Sequence, residues 1–333
     1  MKILVTGGAG FIGSHMVDQL LGLGHSLVVL DDFSIGREEN LARHRENGNL
    51  TIYRKSVCDD LSGLFETERP AAVLHLAALT RVQFSIKNPL LSHQVNVNGT
   101  VNLLEHCRRY GVLRFVFSSS SSVYGEQARL PLDEKMIPNP IFPYALQKLA
   151  GEQYCKLYHA IYGLETICFR YFNIFGPRQN PEREYAGLVP KFIRLISQNQ
   201  PPTIFGDGEQ TRDFTFVTAA VKANLLAADT RNSACFGEVF NVGAGRNLSV
   251  NEVTKKLFKL AGKNPAVIYA PAVLEPRASQ ADVSKIRHRL GWKFHVLFEE
   301  GLRSTYEHFV SNSADAVKPA QKLPYEHVHN RKP

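Results

Sequence analysis

The chain has 333 residues, 44% of them hydrophobic, which is enough for one large α/β domain or for two domains that share a cleft. Its net charge of +8 is scattered rather than gathered in a basic arm, so we expect attraction for anionic ligands and no nucleic-acid partner. Five cysteines without a CxxC pair argue against a zinc or disulfide framework, and the lack of a signal-peptide pattern or a long apolar run predicts a soluble, cytoplasmic protein with no membrane partner.

The first predicted element is a strand over Lys2–Thr6, which runs into a glycine loop and then into an amphipathic helix ending near Leu23. Gly7 permits a tight turn, Gly10 lets the backbone approach a pyrophosphate, and Gly13 lets the helix pack closely on the strand. The spacing is GxxGxxG. A diphosphate would bind the free N–H groups at the start of this helix, so the segment predicts a dinucleotide-binding βαβ unit.

The second predicted strand, Ser26–Leu30, ends at Asp31. A carboxylate at this position can accept hydrogen bonds from both hydroxyls of an adenosine ribose and would repel a 2′-phosphate. No arginine occupies the two positions that follow, although Arg37 lies nearby. NAD is therefore favoured over NADP.

The first half of the chain continues to alternate strands with helices. Further strands are predicted at residues 50–54, 72–76, 114–118 and 165–170, and long helices at 88–110 and 143–162. This rhythm predicts an α/β fold with a doubly wound parallel sheet, in which ligands bind along the carboxyl ends of the strands.

The predicted elements shorten after residue 176. Helices are predicted near 188–197, 217–228, 250–260 and 298–309, and strands near 203–205 and 239–242. We expect an NAD-binding domain over 1–176, to which later segments can return, and a smaller, mainly substrate-binding lobe over 177–312. A polar, loosely ordered tail would cover 313–333.

Tyr144 and Lys148 carry the predicted chemistry. They stand four residues apart on a predicted helix and therefore share one face. An ammonium group beside a phenol, next to a cationic nicotinamide, lowers the pKa of the phenol and makes it usable as a general base near pH 7. The serine run Ser118–Ser122, at the end of the preceding strand, could hydrogen-bond the same substrate oxygen.

Several segments in combination resemble the extended short-chain dehydrogenase/reductase superfamily, and within it the UDP-glucose and UDP-N-acetylglucosamine 4-epimerases. They are TGGAGFIG at 6–13, Asp31, HLAA at 75–78, NVNGT at 96–100, SSSSSVYG at 118–125, YALQK at 144–148, RYFNIFGPRQ at 170–179, GDGEQTRDF at 206–214 and LGW at 290–292. The resemblance spans nearly the whole chain. It implies a Rossmann fold, bound NAD, a UDP-sugar substrate, no metal, and a homodimer formed through a four-helix interface of the helices at 88–110 and 143–162.

The resemblance also assigns roles to matching residues. Tyr144 would be the base, Ser120 the serine that assists it, and Lys148 the residue that holds the nicotinamide ribose. The cofactor-binding set is Gly7, Gly10, Phe11, Ile12, Gly13, Asp31, Ser34, Gly36, Arg37, Ser56, Val57, Leu76, Ala77, Ala78, Asn96, Ser118, Tyr144, Lys148 and Tyr171. The substrate-binding set is Ser120, Ser122, Tyr144, Asn173, Leu188, Val189, Thr203, Ile204, Phe205, Arg212, Arg277 and Ser279.

Within the substrate-binding set, the resemblance implies three groups. Asn173, Arg212 and Arg277 would face the diphosphate. The nucleobase would be surrounded by Leu188, Val189, Thr203, Ile204 and Phe205. Ser279 aligns with the position that admits or excludes an N-acetyl group, and its small side chain predicts that UDP-N-acetylhexosamines are accepted beside UDP-hexoses.

The chain departs from the family pattern at three places. Ser56 replaces an aspartate that reads the adenine, Thr218-Ala219 replaces acidic residues, and Glu275-Pro276-Arg277 replaces a Gly-Asp pair near the phosphates. The contacts at Ser56 and at the last of these segments are therefore expected to be weakened or moved.

Three alternative functions compete with this one. A UDP-glucuronate or UDP-pentose 4-epimerase is the nearest, although Asn173, where uronate enzymes tend to carry threonine, favours a neutral sugar. Dehydratases and decarboxylases carry an acidic residue directly before VYG, where this chain has Ser122. A catalytically inactive, NAD-bound regulatory protein is disfavoured by the intact Ser120, Tyr144 and Lys148.

Overall fold

A central sheet of seven parallel strands organises the protein, as seen in a computed structural model that describes residues 1–181 and 187–313. The strands are β1 Lys2–Thr6, β2 Ser26–Leu30, β3 Leu50–Tyr53, β4 Ala72–His75, β5 Arg114–Ser120, β6 Glu165–Tyr171, β7 Ile174–Phe175, β8 Thr203–Phe205, β9 Thr211–Arg212, β10 Thr215–Phe216, β11 Glu238–Val242, β12 Leu248–Ser249 and β13 Ile268–Ala270. The helices are α1 Phe11–Gly22, α2 Ser62–Glu68, α3 Val82–Lys87, α4 Pro89–His93, α5 Gly99–Arg109, α6 Pro143–Tyr162, α7 Leu188–Ser197, α8 Val217–Asp229, α9 Val250–Ala261, α10 Ser284–Leu290 and α11 Phe298–Ser313.

The strand order of the sheet is β11-β6-β5-β4-β1-β2-β3. The chain builds β1 to β3 in one direction and then returns to the other side of β1 with β4, so the strand order reverses beside β1. In doubly wound sheets this reversal opens a crevice at the carboxyl ends of the strands, where ligands bind. The predicted fold class is confirmed.

The strands β1, β2 and β4 are short, nearly continuous apolar runs because helices cover both faces of the sheet. In β1 and β2, every residue after the first is buried, and all of β4 is buried. The helices α1 and α8 pack together on one face of the sheet, and α5 and α6 pack together on the other. This packing fixes the sheet edge that carries the site.

A second, smaller lobe faces the carboxyl ends of the strands. Its core combines α7, α9 and α11 around Phe192, Phe214 and Phe298, which are all buried. Three two-stranded pairings, β7 with β10, β8 with β13 and β9 with β12, hold its loops. Strand β11 does not belong to this lobe, because it pairs with β6 and completes the edge of the main sheet.

The helix predicted over 88–110 is interrupted. The chain forms α4, then a π-helical turn over Gln94–Asn98, and then α5. The turn carries Asn96, whose side-chain oxygen accepts from the N–H of Leu79 at 2.7 Å and whose amide group donates to the carbonyl of Leu79 at 2.9 Å. π-helical turns occur often beside functional sites, and here the turn supports the loop that follows β4.

Most other predicted boundaries agree with the structure to within a few residues. The helix predicted over 143–162 is α6 with the same bounds, and the strand predicted over 114–118 continues to Ser120 as β5. The tail beyond Ser313 lies outside the described residues. Within residues 1–181 and 187–313, no helix combines the length and apolarity that a bilayer-spanning segment requires.

Candidate active site

One continuous cleft runs along the carboxyl ends of the strands and under the smaller lobe. Its main cavity, of about 640 Å³, begins at the glycine loop after β1 and ends at Ser279. A second cavity, of about 440 Å³, lies inside the smaller lobe. The two cavities share lining residues, which are Asn173, Ile174, Gln179, Arg212, Val273 and Glu275. A long ligand with two ends can therefore occupy the sheet edge and the lobe together.

The glycine loop has space for a ligand only because side chains are missing from it. Gly7 has φ +68°, and a Cβ placed on it would come within 2.8 Å of the backbone N of Ala77. A Cβ on Gly13 would overlap the carbonyl oxygen of Gly7. The loop can therefore bring bare backbone to a pyrophosphate at the start of α1, which fits NAD.

Asp31 lies at the end of β2 and lines the same cavity. One carboxylate oxygen accepts from the N–H of Ala9 and the other from the N–H of Phe33, both at 2.9 Å. Burial raises the pKa of Asp31 to about 6, although these two hydrogen bonds oppose the shift. The carboxylate is thus fixed beside the glycine loop and keeps acceptor capacity for the hydroxyls of a ribose.

A buried histidine holds the loop after β4. His75 shares hydrogen bonds with Thr6 (2.7 Å) and Thr100 (2.9 Å), and burial lowers its pKa to about 3, so the ring is neutral. The Thr6 hydroxyl also accepts from the N–H of Ala77 at 3.2 Å. These contacts fix the backbone that forms one wall of the cofactor cavity.

Tyr144 and Lys148 both project from α6 into the main cavity and are almost fully buried, at 7% and 3% exposure. The Lys148 ammonium donates to the carbonyl of Ser118 at 2.8 Å. Burial raises the pKa of Tyr144 to about 12, while a hydrogen bond with Ser120 opposes the shift. Burial also lowers the pKa of Lys148 to about 8. The predicted pair therefore shares one wall of the cleft with Ser120.

A buried ion pair lies one helical turn below Lys148. Glu152 accepts two hydrogen bonds from Arg170, at 2.9 and 2.7 Å, and one from the hydroxyl of Ser119. The two charged side chains are only 2% and 4% exposed. The Arg170 guanidinium also covers the ring of Tyr124 at 4.5 Å. This cluster ties α6, which carries the candidate base, to the carboxyl ends of β5 and β6.

The polar groups at the ends of β5 and β6 also face the cleft. The Tyr171 hydroxyl accepts from Ser118 at 3.3 Å and from Asn224 at 2.5 Å. The hydroxyl of Ser122 is buried and has no hydrogen-bond partner among the described residues, so it can serve a ligand. Asn173 donates to the hydroxyl of Ser279 at 3.4 Å, which places Ser279 in the main cavity.

Nearly all predicted site residues line one of the two cavities. The predicted nucleobase set lines the second one: Leu188, Val189, Thr203, Ile204 and Phe205. The exceptions are Arg37, Asn96 and Arg277. Asn96 lies one layer behind the cavity, where it supports Leu79, and Arg37 uses its backbone N–H to bind the carbonyl of Ala9 at 3.0 Å.

The two predicted phosphate-binding arginines differ in position. Arg212 is 12% exposed, lines both cavities and forms an ion pair with Glu275 at 2.7 Å. Arg277 is 58% exposed and binds Asp207 through two hydrogen bonds of 2.8 Å. The structure therefore does not bring Arg277 to the cleft, because a surface carboxylate holds its guanidinium outside.

Two further residues shape the site, and neither was predicted as a site residue. Asp213 is fully buried and accepts from the backbone N–H groups of Ala244, Gly245 and Ala281, at 2.7 to 3.0 Å. Burial raises its pKa to about 6. Asp213 thereby joins β9, which carries Arg212, to the segment that carries Ser279. The other residue is Glu275, which the sequence marked only as a departure from the family pattern.

The chain is similar to known proteins over most of its length. The family described as "NAD dependent epimerase/dehydratase family" matches residues 3–243. A putative UDP-glucose 4-epimerase of Methanocaldococcus jannaschii is 40% identical over 313 residues, which are 93% of this chain and 99% of that protein.

Two solved structures are similar over nearly their whole length. A UDP-glucose 4-epimerase from Thermotoga maritima, crystallised with UDP-glucose, is 40% identical with a TM-score of 0.89, and the match covers 94% of this chain and 100% of that one. A UDP-N-acetylglucosamine 4-epimerase from Methanobrevibacter ruminantium, in complex with UDP-N-acetylmuramic acid, is 37% identical with a TM-score of 0.88, covering 93% and 98%.

The predicted resemblance and the predicted dependence on NAD are thereby confirmed at the level of the family. The match includes the glycine loop, Asp31 and the Tyr144–Lys148 pair, and the similar structures extend through the smaller lobe. The chain therefore belongs to the NAD-dependent epimerase/dehydratase family and is an enzyme of its nucleotide-sugar 4-epimerase type.

Proposed function

We propose that the enzyme epimerises UDP-hexoses and UDP-N-acetylhexosamines at C4, with Tyr144 as the acid–base group. The observation that carries this proposal is the burial of Tyr144 beside Ser120 and Lys148, in a cleft that joins the glycine loop to the smaller lobe. The glycine loop and Asp31 would hold NAD, which would supply reversible hydride transfer at C4 of the sugar and the positive charge of its ring.

The residues of the cleft supply proton transfer and orientation. Tyr144 takes the proton of the sugar 4-hydroxyl and later returns it. Its pKa of about 12 keeps the phenol protonated near pH 7, so positive charge beside it must stabilise the phenolate before it can accept a proton. Lys148, with a pKa of about 8, is mostly an ammonium at pH 7 and supplies part of that charge. Ser120 hydrogen-bonds the oxygen of the sugar 4-hydroxyl and fixes its position.

The smaller lobe would hold the nucleotide part of the substrate. The apolar second cavity, with Val189 and Ile204 buried in its wall, fits a nucleobase. Arg212 stands where the two cavities meet, and a guanidinium group suits a diphosphate in charge and shape. The sugar would then lie in the main cavity between Tyr144 and Ser279.

The purified protein is expected to interconvert UDP-glucose with UDP-galactose, and UDP-N-acetylglucosamine with UDP-N-acetylgalactosamine, without added NAD. The reason is that the hydride returns to the sugar, so the reaction needs no exchange of cofactor. Incubation with a panel of UDP-sugars, followed by chromatographic separation of the epimers, measures this. Conversion of UDP-glucuronate or a UDP-pentose alone would support the nearest alternative, and conversion of none would contradict the proposal.

Ser279→Tyr is expected to abolish or strongly reduce turnover of the N-acetylated substrates while UDP-galactose turnover stays largely unchanged. Ser279 is buried at the wall of the main cavity, so a tyrosine there would fill space that an acetamido group needs. Overpacking of this kind costs about 1–3 kcal/mol, which corresponds to roughly 5- to 150-fold in relative kcat/KM. The measurement is the ratio of kcat/KM for UDP-N-acetylgalactosamine and UDP-galactose.

Ser279→Ala is the matched control for this variant, because it removes the hydroxyl that meets Asn173 but adds no volume. It should accept both classes of substrate. If Ser279→Tyr handles both classes as the wild type does, Ser279 is not the gate and the proposal loses its support for N-acetylated sugars.

We propose further that the enzyme acts as a homodimer. Leu146, Leu157 and Ile161 form an exposed apolar stripe along α6, opposite the face that carries Tyr144. Such a stripe supports the predicted four-helix interface with a second copy of the chain. The cytoplasmic location stays a prediction.

A further inference from the structure

A short loop over residues 271–276 forms the wall between the two cavities. It leaves β13 after Ala270 and carries Val273, Leu274, Glu275 and Pro276 to the main cavity. Val273 and Glu275 line the second cavity as well. A ligand that extends from the sheet edge into the smaller lobe must therefore pass beside Glu275.

The loop is anchored firmly at its end. The carbonyl of Arg277 accepts from the N–H of Thr211 at 3.0 Å, and the N–H of Ser279 donates to the carbonyl of Thr211 at 3.1 Å. The Arg277 side chain is held by Asp207. This pairing fixes residues 277–279 against β9 and brings Glu275 next to Arg212.

The contact between Glu275 and Arg212 is an imperfect one. The nearest nitrogen of Arg212, Nη2, lies 2.7 Å from a carboxylate oxygen of Glu275, but it is buried and has no hydrogen bond of acceptable geometry among the described residues. The other terminal nitrogen, Nη1, donates to the carbonyl of Thr211 at 2.8 Å. Glu275 thus neutralises the charge of Arg212 but leaves the Nη2 N–H groups without a hydrogen bond of good geometry.

We propose that Glu275 competes with the substrate diphosphate for Arg212 and thereby sets the affinity of the enzyme for nucleoside diphosphates. A diphosphate offers several oxygens to a guanidinium group and can satisfy the donor that Glu275 leaves unsatisfied. It also repels the Glu275 carboxylate, so the two anions cannot share Arg212. Glu275 can have this role only if the ligand is a nucleoside diphosphate, as in the proposed function.

The competition predicts whether removal of Glu275 raises or lowers the affinity for a ligand, and binding experiments can detect this change. While Glu275 holds Arg212, part of the free energy of binding goes into separating the ion pair. Removal of the Glu275 carboxylate should therefore strengthen the binding of every ligand that contacts Arg212. A ligand without a diphosphate should show no gain in affinity. Since the ion pair is partly exposed, we expect a gain of roughly three- to tenfold.

The experiment compares UDP, UMP and uridine as ligands of the NAD-containing protein by isothermal titration calorimetry. Glu275→Gln should bind UDP roughly three- to tenfold more tightly than the wild type and bind uridine equally well. Glu209→Gln is the matched control, because it removes an exposed carboxylate of the same lobe that binds Asn251 rather than Arg212. It should leave the UDP affinity unchanged.

A double-mutant cycle separates competition at Arg212 from a general effect of charge. In an Arg212→Gln background, Glu275→Gln should give no further gain for UDP. If Glu275→Gln raises the UDP affinity equally in the Arg212→Gln background, or does not raise it in the wild-type background, the proposed role of Glu275 is wrong. The proposed function would still stand in that case, provided that the wild type binds UDP and converts UDP-sugars. Failure of the wild type to bind UDP or to convert any UDP-sugar would overturn both.

Discussion

Tyr144→Phe is expected to reduce the rate of 4-epimerisation by about 10²–10⁴-fold, the usual contribution of a general acid–base group. The phenyl ring keeps the packing of a side chain that is 7% exposed, and only the hydroxyl near Ser120 is lost. The fold and the bound NAD should remain. The measurement is kcat with UDP-galactose, combined with the NAD content of the denatured protein and its circular dichroism.

Tyr158→Phe is the matched control, because Tyr158 also lies on α6 but donates its hydroxyl to Glu105, far from the cleft. This variant should keep wild-type turnover. Near wild-type turnover of Tyr144→Phe itself would show that another group is the base. Loss of NAD from that variant would instead mean that the hydroxyl has a structural role.

Arg170→Met is expected to lower the free energy of unfolding by about 3–5 kcal/mol, because it leaves a buried charge without its partner. Glu152 is 2% exposed, and without Arg170 its remaining described hydrogen bond is the one from Ser119. Urea denaturation followed by tryptophan fluorescence can measure this loss, since Trp292 is buried in the core.

Two variants make this prediction specific to the buried pair. Arg109→Met breaks an exposed ion pair with Glu105 on α5 and should change the stability by less than about 1 kcal/mol. A double replacement of Glu152 and Arg170 by methionine removes both charges and should recover much of the loss. If Arg170→Met is no less stable than Arg109→Met, Glu152 is not held by Arg170 in solution.

The order of strands and helices in the first half could be predicted because each element carries its own pattern. The strands β1 and β2 are apolar runs that end at Gly7 and Asp31, and α6 begins at a proline and ends before Gly163, which has a left-handed conformation. The π-helical turn could not be predicted, because the helical pattern continues through it and the contact that Asn96 makes there is with the backbone of Leu79, 17 residues away in the sequence.

The site was predictable where a motif fixes both the residue and its place in the fold. Tyr144 and Lys148 stand on one helix face, so their spacing alone brings them together. Arg277 and Glu275 lie on a loop instead, and their positions depend on partners that are distant in sequence. Asp207 holds Arg277 outside the cleft, and Arg212 brings Glu275 into it. The partner that such a loop side chain binds produces no periodic pattern in a single sequence, so it could not be predicted.

The late arrival of β11 in the main sheet has a consequence for how the protein is made. Until Val242 has emerged from the ribosome, β6 has a neighbour on one side only, and the backbone of Glu165–Tyr171 forms an unprotected edge. A nascent chain paused near residue 176 would present this edge to other chains, which favours aggregation and demands chaperone protection. Because the segments from α7 to β10 lie between β6 and β11 in the chain, part of the smaller lobe is made before the main sheet is complete, and a chain cut after residue 176 would lose β11 together with the lobe.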